Sequence, residues 1–473
     1  MKKLIIFSFL FTQLTAKGQF LDSLKVNIGT TASLASEDYL PLWLFSNRFG
    51  TVSDQKQDLS THLRINNSHS IDSVFGVDYS IDVYNNTHFN KNIIQEAYIR
   101  GRYKDIQITA GRLKHIIGEV DHEISSGSLG VSGNALPIPK VSFSIPNYID
   151  LPFTNSFAQF KGQISHGWMG RNRYMKDAIY HEKNLYVKLG KKKFRVYGGI
   201  QHYAMWGGNR KQDGFNLDKS FKGFLNVLFA LEANDGSVPD SILPNRAGDH
   251  RGIIEFGAEW ENDRMKIQLN NQTPFEMGQG MTPKNIDRLL SLSYLSKVTD
   301  TRLKKIVIEF LYTKQMNSFY PMKYRESYYN NGVYKTGWEY ENNIIGTPIF
   351  INRNRASKYF SDIHTYDWNG KRHSIGMDNI INNRVIGLHI GSTIAISKQA
   401  LSKTMITYTE NFGNYDLSKF APSKSQFYSL QEINWILPKS QLVLTCSLGY
   451  DWGELSNNFG TIFGIQWHMK NLH

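Results

Sequence analysis

Residues 250–273, HRGIIEFGAEWENDRMKIQLNNQT, indicate two β-strands because apolar and polar side chains alternate through two runs joined by a short turn. The first run places Ile, Phe, Ala and Trp on one face, and Glu255 and Glu259 on the other. The second run, from Met265 to Asn270, alternates in the same way. A period of two over about ten residues is typical of a tilted membrane-spanning strand. The carboxylates would face bulk water in a soluble sheet and the lumen in a barrel, so periodicity alone leaves both folds open.

Three further features favour a barrel. The alternating runs are longer than the usual ~5–6 residues of globular strands. Aromatic residues make 13% of the chain, as the interfacial girdles of a membrane barrel require. Tight turns at 190–193, 261–263 and 382–383 contrast with very long gaps between strands, at 114–155, 204–247 and 317–371. Because short turns at one end and long loops at the other mark outer-membrane barrels, we predict an all-β fold, a single large antiparallel transmembrane β-barrel with long extracellular loops.

The alternating runs predict about eighteen strands, an even number as in single-chain bacterial barrels. These are 24–34, 60–70, 73–85, 93–104, 105–113, 156–167, 183–191, 193–203, 250–262, 264–273, 288–298, 303–316, 373–381, 384–398, 402–411, 425–436, 441–452 and 459–468. With the long gaps outside the cell, this set also places both termini outside, although barrel termini normally lie in the periplasm. The number of strands before and after the long gaps therefore indicates that one strand is missed or falsely added in each half of the chain. The alternative strands are Ile138 to Ile145 and Ile344 to Ile351.

The N-terminus predicts export. Lys2 and Lys3 precede an apolar run, and Ala16-Lys17-Gly18 supplies small residues before a cut, which together are typical of a signal peptide over residues 1–18. Residues 19–56 would form an N-terminal segment of one strand and a short helix within Leu40 to Phe49, and residues 57–473 the barrel. The expected location is the outer membrane of a Gram-negative cell.

Charge and cysteine content restrict the function classes. The formal charge of +13 favours an acidic partner, and ordinary solubilising charge explains it equally well. Cys446 is the only cysteine, so intrachain disulfides and cysteine-based metal centres are excluded. We expect no cofactor, no metal, no nucleic acid and no enzymatic activity, because no nucleophile–base arrangement is recognisable. Glu255 and Glu259 would join Lys266 in a lumenal charge network.

Three irregular segments carry further expectations. Asp121 to Glu123 is interpreted as a polar loop rather than a metal site, since neighbours in an extended chain point to opposite faces. The Ser- and Gly-rich run from Ser125 to Gly133 favours tight packing, and gap 114–155 is the candidate plug of the lumen. Leu217 to Ala233 has apolar residues at helical spacing and predicts a short helix, either over the barrel mouth or packing its own loop.

The gap 317–371 is rich in Tyr, Trp, Arg, Lys and Asn, and a smaller cluster of similar composition lies at 202–211. Aromatic faces stack on sugar rings, and Arg and Lys bind carboxylates, so this composition suits an acidic polysaccharide. The alternative is that the tyrosines order a long loop by packing on one another. The residues predicted to contact glycan, on a surface that the two segments would share, are Trp206, Arg210, Tyr328, Tyr329, Tyr334, Trp338, Arg353 and Arg355.

Ordered segments across the middle of the chain resemble the Wzi family of capsule-assembly outer-membrane proteins, in the form found in Bacteroidetes. The segments that carry the resemblance are Gly111-Arg112, Ser125 to Ser132, Asn134-Ala-Leu-Pro-Ile-Pro-Lys140, His202-Tyr-Ala-Met-Trp-Gly-Gly208, Pro274-Phe-Glu276 with Gly280-Met281 and Asp287, Tyr329-Asn-Asn-Gly-Val-Tyr334, Gly337-Trp338 and Gly346-Thr-Pro-Ile-Phe350. The resemblance implies a monomeric barrel of about eighteen strands that acts as a surface lectin. It would attach exported capsular polysaccharide or exopolysaccharide to the cell, without enzymatic activity.

The resemblance is incomplete at the N-terminus. Enterobacterial members of the family look to carry a helical bundle ahead of the barrel, whereas residues 20–56 here predict one strand and one short helix. A coupling to periplasmic export machinery through that bundle is therefore not carried over, and neither is any sugar-contact residue. The alternative function from another class is a porin or specific uptake channel, which would need an open lumen.

Overall fold

Stretches with alternating side chains form the strands of one large sheet, in which each strand pairs with its neighbours along the chain. The computed structural model describes residues 24–191, 193–210, 214–231, 246–282, 284–316, 318, 325–368, 376, 379–415 and 418–469. The predicted signal peptide lies outside the described residues. The sheet has eighteen strands, named β1 to β18: Lys25–Tyr39, Gln55–Ser70, Phe75–Asn86, Lys91–Tyr103, Ile106–Arg112, Lys140–Asp150, Ala158–Trp168, Ile179–Lys191, Phe194–Trp206, Asp249–Glu261, Met265–Phe275, Arg288–Ser296, Leu303–Tyr312, Val385–Ala395, Ala400–Asn411, Lys424–Leu437, Leu442–Gly453 and Asn458–Met469.

The first and last strands close the sheet into a barrel. Strand β1 pairs antiparallel with β2 on one side and with β18 on the other, where Val26 lies opposite Met469. Closure removes the unpaired edge that an open sheet would expose. The start of β1 and the end of β18 thus lie together at the end of the barrel that carries the short turns. The long connections 113–139, 207–248 and 313–384 lie at the opposite end. This is the sidedness of outer-membrane barrels, with the long loops extracellular.

The side-chain distribution across the barrel wall is the reverse of that in a soluble protein. In β10, Phe256 and Trp260 face outward and are 54% and 36% exposed, whereas Glu255 and Glu259 face the lumen and are 1% and 2% exposed. The Lys266 Nζ lies 2.8 Å from Glu259 Oε2, which confirms the predicted lumenal ion pair for Glu259. Glu255 instead accepts hydrogen bonds from the Tyr186 hydroxyl at 2.5 Å and from Asn270 Nδ2 at 2.8 Å. An apolar outer wall around a polar, charged interior fits a bilayer and confirms the barrel prediction against the soluble sheet.

Two strand predictions were wrong, one in each half of the chain, as expected from the periplasmic position of barrel termini. The first half contains the unpredicted strand β6, Lys140–Asp150, which overlaps the alternative Ile138 to Ile145 and shortens the loop expected at 114–155. In the second half, β13 pairs directly with β14, so the predicted 373–381 cannot be a barrel strand between them. The residues Ile380–Asn382, where this predicted strand ends, pair instead with Ile351–Asn352. The other alternative, Ile344 to Ile351, is not a barrel strand either.

Three segments fold into the lumen. Residues 40–54 follow β1 and contain the expected short helix, α1, Leu42–Phe45, whose Trp43 donates through Nε1 to Thr407 Oγ1 on the wall at 3.0 Å. Residues 113–139, which we call the plug segment, correspond to the first part of the plug predicted at 114–155, whereas Lys140–Asp150 is a strand of the wall. The third is the described part of 325–368, which packs on the plug segment and contains helix α3, Arg353–Tyr359. The interior of the barrel is therefore a packed polar and apolar core.

The plug segment is fixed to the wall by buried carboxylate and amide groups. Glu309 on β13 accepts hydrogen bonds from Ser125 Oγ at 2.7 Å and from the Ser126 backbone N–H at 2.7 Å. Gln272 Oε1 accepts from the Leu129 N–H at 2.9 Å. These contacts confirm tight packing as the use of the Ser- and Gly-rich run. Gly391 on β14 lets the plug approach the wall, since a Cβ there would lie 2.2 Å from the Ile124 carbonyl oxygen.

The helix expected within Leu217 to Ala233 is present as α2, Phe221–Leu228, and Ser220 caps it by accepting from the Gly223 N–H. Its position differs from both expectations, because it packs on the outer wall of the barrel rather than over the mouth or on its own loop alone. Within the described ranges, no helix is both long and apolar enough to cross a membrane.

Candidate glycan site at the barrel mouth

Three loops meet at the extracellular end of the barrel. Tyr334 donates to the Gly207 carbonyl oxygen at 3.0 Å, which joins loop 313–384 to loop 207–248. The Tyr174 backbone N–H donates to Thr336 Oγ1 at 2.8 Å, which brings in the loop between β7 and β8. The predicted shared surface between 204–247 and 317–371 is thus confirmed, with a third loop added.

Cations and aromatic rings alternate across this junction. The Arg210 guanidinium lies 4.6 Å from the ring centroid of Phe215 and 5.7 Å from that of Tyr174. On the same Tyr174 ring, the Lys335 Nζ lies 5.4 Å from the centroid. Each of the three loops therefore contributes at least one member of a continuous cation–π arrangement.

The arrangement continues through a second group of rings. Trp368 packs edge-on against Tyr174, with 6.5 Å between centroids, and against Tyr366 at 5.4 Å. The Arg353 guanidinium lies 4.4 Å from the Tyr366 centroid. We call the whole set the mouth cluster, and its members are Tyr174, Arg210, Phe215, Lys335, Arg353, Tyr366 and Trp368.

The cations of the mouth cluster influence one another. Partial burial, and then the positive charge of Arg210, hold the pKa of Lys335 below its ordinary value of 10.5. Two positive charges that repel each other in this way are stabilised by an anion bound between them. The cluster thus brings cations close to one another at the barrel mouth.

Of the eight residues predicted to contact glycan, Arg210 and Arg353 are half-buried members of the mouth cluster. The other six are buried against protein atoms, with exposures of 8% or less: Trp206, Tyr328, Tyr329, Tyr334, Trp338 and Arg355. Their burial matches the alternative interpretation, in which the aromatic residues order a long loop. Direct glycan contact stays a prediction for the two arginines.

The buried six hold the loops in place. Trp338 donates through Nε1 to the Gly130 carbonyl oxygen at 2.8 Å, and Tyr329 donates through its hydroxyl to Leu129 O at 2.5 Å, so both fasten loop 313–384 to the plug segment. Tyr328 donates to Asp287 Oδ2 at 2.7 Å. Arg355 donates through Nη1 to the Pro348 carbonyl oxygen at 3.0 Å. Tyr334 donates to the Gly207 carbonyl oxygen, and Trp206 packs against Phe224 of α2.

The predicted set of contact residues did not include Tyr174, Phe215, Lys335, Tyr366 and Trp368 of the mouth cluster. Tyr174 lies in the short loop between β7 and β8, where Arg171, Arg173 and Tyr174 form a basic and aromatic stretch. That composition was a usable signal, whereas nothing in the sequence pairs this loop with Lys335. Among the described residues, no group of three or more His, Cys, Asp or Glu side chains is placed to hold a metal ion.

The closed apolar-walled barrel, its filled lumen and its basic, aromatic mouth define an outer-membrane β-barrel. Residues 42–362 match the family model described as capsule assembly protein Wzi. Because that match spans more than half of the chain, the protein belongs to the Wzi family of capsule assembly proteins and resides in the outer membrane. The family resemblance of the sequence is thereby confirmed.

Two solved structures are similar to this one at low sequence identity. Wzi of Escherichia coli, described as an outer-membrane protein involved in group 1 capsule assembly and a carbohydrate-binding β-barrel, superposes with a TM-score of 0.56 and 12% identity, covering 96% of this chain and 86% of that one. OpdL of Pseudomonas aeruginosa has a TM-score of 0.48 and 7% identity, covering 94% of this chain and 98% of its own. No curated protein is similar enough in sequence to be matched.

Proposed function

We propose that the protein binds an acidic capsular polysaccharide or exopolysaccharide at the mouth cluster and so attaches the polymer to the cell surface. The observation that carries this proposal is the placement of Arg210, Lys335 and Arg353 around the rings of Tyr174 and Tyr366 at the extracellular end. Family membership supports it, since the Escherichia coli member is described as carbohydrate binding.

The chemistry of the cluster matches a uronic-acid polymer. A guanidinium donates two parallel hydrogen bonds to a carboxylate, and an ammonium supplies a further point charge. The half-buried rings of Phe215 and Tyr366 offer apolar faces for the C–H surfaces of sugar rings, whereas the buried rings of Tyr174 and Trp368 pack against the cluster from within the protein. Since the cluster spans three loops, it would contact several sugar units of an extended chain at once, and weak contacts per unit would sum.

The packed lumen supports attachment over transport. The plug segment and residues 325–368 interlock inside the barrel, where Ser132 donates through its backbone N–H to Ile345 O at 2.9 Å and Asn134 donates through Nδ2 to Ile344 O at 2.9 Å. A diffusion porin needs a water-filled passage instead. We propose no catalytic step, and a polymer held at the mouth needs none.

A binding experiment on the purified protein tests the proposal. We expect polygalacturonate to bind in isothermal titration and its carboxyl-reduced, neutral form to bind at least about tenfold more weakly, because each charge-assisted hydrogen bond contributes ~1.5–3 kcal/mol. The double variant Arg210→Ala, Lys335→Ala should lose the affinity for the acidic polymer.

The matched control is the double variant Lys193→Ala, Arg264→Ala, which removes the same charges from exposed turns at the opposite end of the barrel. It should bind like the wild type. Equal binding of the acidic and neutral polymers, or equal losses in the two double variants, would refute the mouth cluster as the site.

A further inference from the structure

Four histidines lie on the outer wall of the barrel, where lipid-facing residues are expected. They occupy four neighbouring strands, β7 to β10, near the extracellular ends: His166, His181, His202 and His250. On each of these strands they share a face with outward apolar residues that are 38–54% exposed, namely Ile164, Leu185, Ile200 and Phe256. A polar row of this kind facing acyl chains directly would be unfavourable.

Helix α2 covers His166 and His181 of this row from outside. The Phe224 ring packs edge-on against His166, with 5.3 Å between centroids, and against His181 at 6.1 Å. His181 is thereby fully buried, although it faces outward. Lys183, on the same outer face, donates through Nζ to the Leu228 carbonyl oxygen at the end of the helix. The helix is thus fastened to the outside of the barrel.

The helix and the residues after it present a new apolar surface in place of the histidines. Phe221 is 74% exposed, Phe229 66% and Leu231 48%. Large apolar side chains at these exposures are unfavourable in water and are typical of an interaction surface. This surface continues the apolar outer wall below it, which includes Leu185 and Ile200.

We infer that α2, with Phe229 and Leu231, lies in the lipid interface of the outer leaflet and anchors loop 207–248 to the membrane. Lipid is the occupant that the position favours, because the surface is continuous with the lipid-facing wall of the barrel. The exposed Lys219 and Lys222 flank Phe221 in the sequence, and basic residues beside apolar ones are typical of helices that lie among anionic head groups. The anchored loop carries Arg210 and Phe215 of the mouth cluster, so the membrane would also steady the candidate glycan site.

Lipid contact can be measured with a single fluorescent label. In a Cys446→Ser background, Phe221→Cys is labelled with an environment-sensitive dye and the protein is folded into phosphatidylcholine vesicles with brominated acyl chains. We expect strong quenching of this dye relative to vesicles without bromine. Two labelled controls bracket the result: Leu185→Cys on the lipid-facing wall should be quenched, and the exposed Asn172→Cys at the mouth should not.

Quenching at position 221 that is no stronger than at 172 would overturn the inference. Folding of each variant is checked by the mobility shift of the unheated barrel in SDS gels. If Phe221→Cys does not fold, Phe229→Cys serves as the second site with the same expectation, and absence of quenching there would equally overturn the inference. A failed glycan-binding experiment would leave this result unaffected, so the two proposals can be told apart.

Discussion

Trp338 is fully buried and joins two segments that are far apart in sequence. Its indole Nε1 donates to the Gly130 carbonyl oxygen, its ring packs 5.4 Å from that of Tyr203, and the Arg251 guanidinium lies 4.7 Å from its centroid. Composition suggested a glycan contact for this residue, because an aromatic side chain in a long loop has no periodicity from which its burial can be predicted. Only the position of the plug segment explains why the side chain points inward.

Replacing Trp338 should therefore act on stability rather than on ligand contact. We expect Trp338→Ala to lower the free energy of unfolding by ~3–5 kcal/mol, as for other buried aromatic residues. Trp338→Phe keeps a ring and loses the hydrogen bond, so its loss should be about 1 kcal/mol. Equilibrium unfolding in urea measures both, and an unchanged stability in Trp338→Ala would contradict the interlocking role.

Glu276 gives the same loop a pH dependence. Burial raises the pKa of its carboxyl to about 7, against the opposing effect of Arg251, while it accepts hydrogen bonds from the backbone of Ser327 and Tyr329. A carboxyl whose folded-state pKa is raised stabilises the fold fully below its unfolded value, near 4.5, and that contribution is lost as pH rises through 7. We expect stability to decline between pH 4.5 and 7, and Glu276→Gln to flatten the decline. An equal pH profile in the variant would contradict this assignment.

The plug segment has no strand or helix of its own and depends on its anchors. Because Glu309 bonds Ser125 and Ser126 at once, Glu309→Ala should leave buried donors unpaired and loosen this part of the plug. We expect amide hydrogen exchange in 116–136 to speed up about tenfold or more, with the barrel strands unchanged. Glu309→Gln retains one acceptor oxygen and should give a smaller effect. If amide hydrogen exchange in 116–136 is as slow in both variants as in the wild type, contacts other than those of Glu309 hold the plug.

At the level of elements, alternation predicted most strands, and its two errors have physical causes. Strand β6 contains Pro146, which cannot donate to the sheet, and its pairing with β7 is irregular between Ile145 and Ile149. The run 373–381 has strand-like composition, but its described residues Ile380–Asn382 find a partner in loop 313–384 instead of in the wall. A local pattern cannot decide between two such partners.

For the whole molecule, the filled lumen predicts low conductance. We expect the purified protein in planar bilayers to show no porin-like ion current, and a variant with residues 116–136 replaced by a short Gly/Ser linker to conduct more than the wild type. A large steady current through the intact protein would contradict the packed interior and favour the uptake-channel alternative.

The barrel itself was predictable because apolar and polar faces repeat in every strand, whereas the mouth cluster depends on contacts between loops that no local pattern encodes.

Attachment of an acidic polymer to the cell by the mouth cluster can be measured as the partition of polysaccharide between cells and medium. A strain that lacks the protein is complemented with the wild type, with Arg210→Ala, Lys335→Ala, or with the control Lys193→Ala, Arg264→Ala, and cell-bound and released polysaccharide are both measured. We predict that the mouth variant loses bound polymer and gains released polymer at constant total, whereas the control matches the wild type. Equal partition in all three strains would contradict the account.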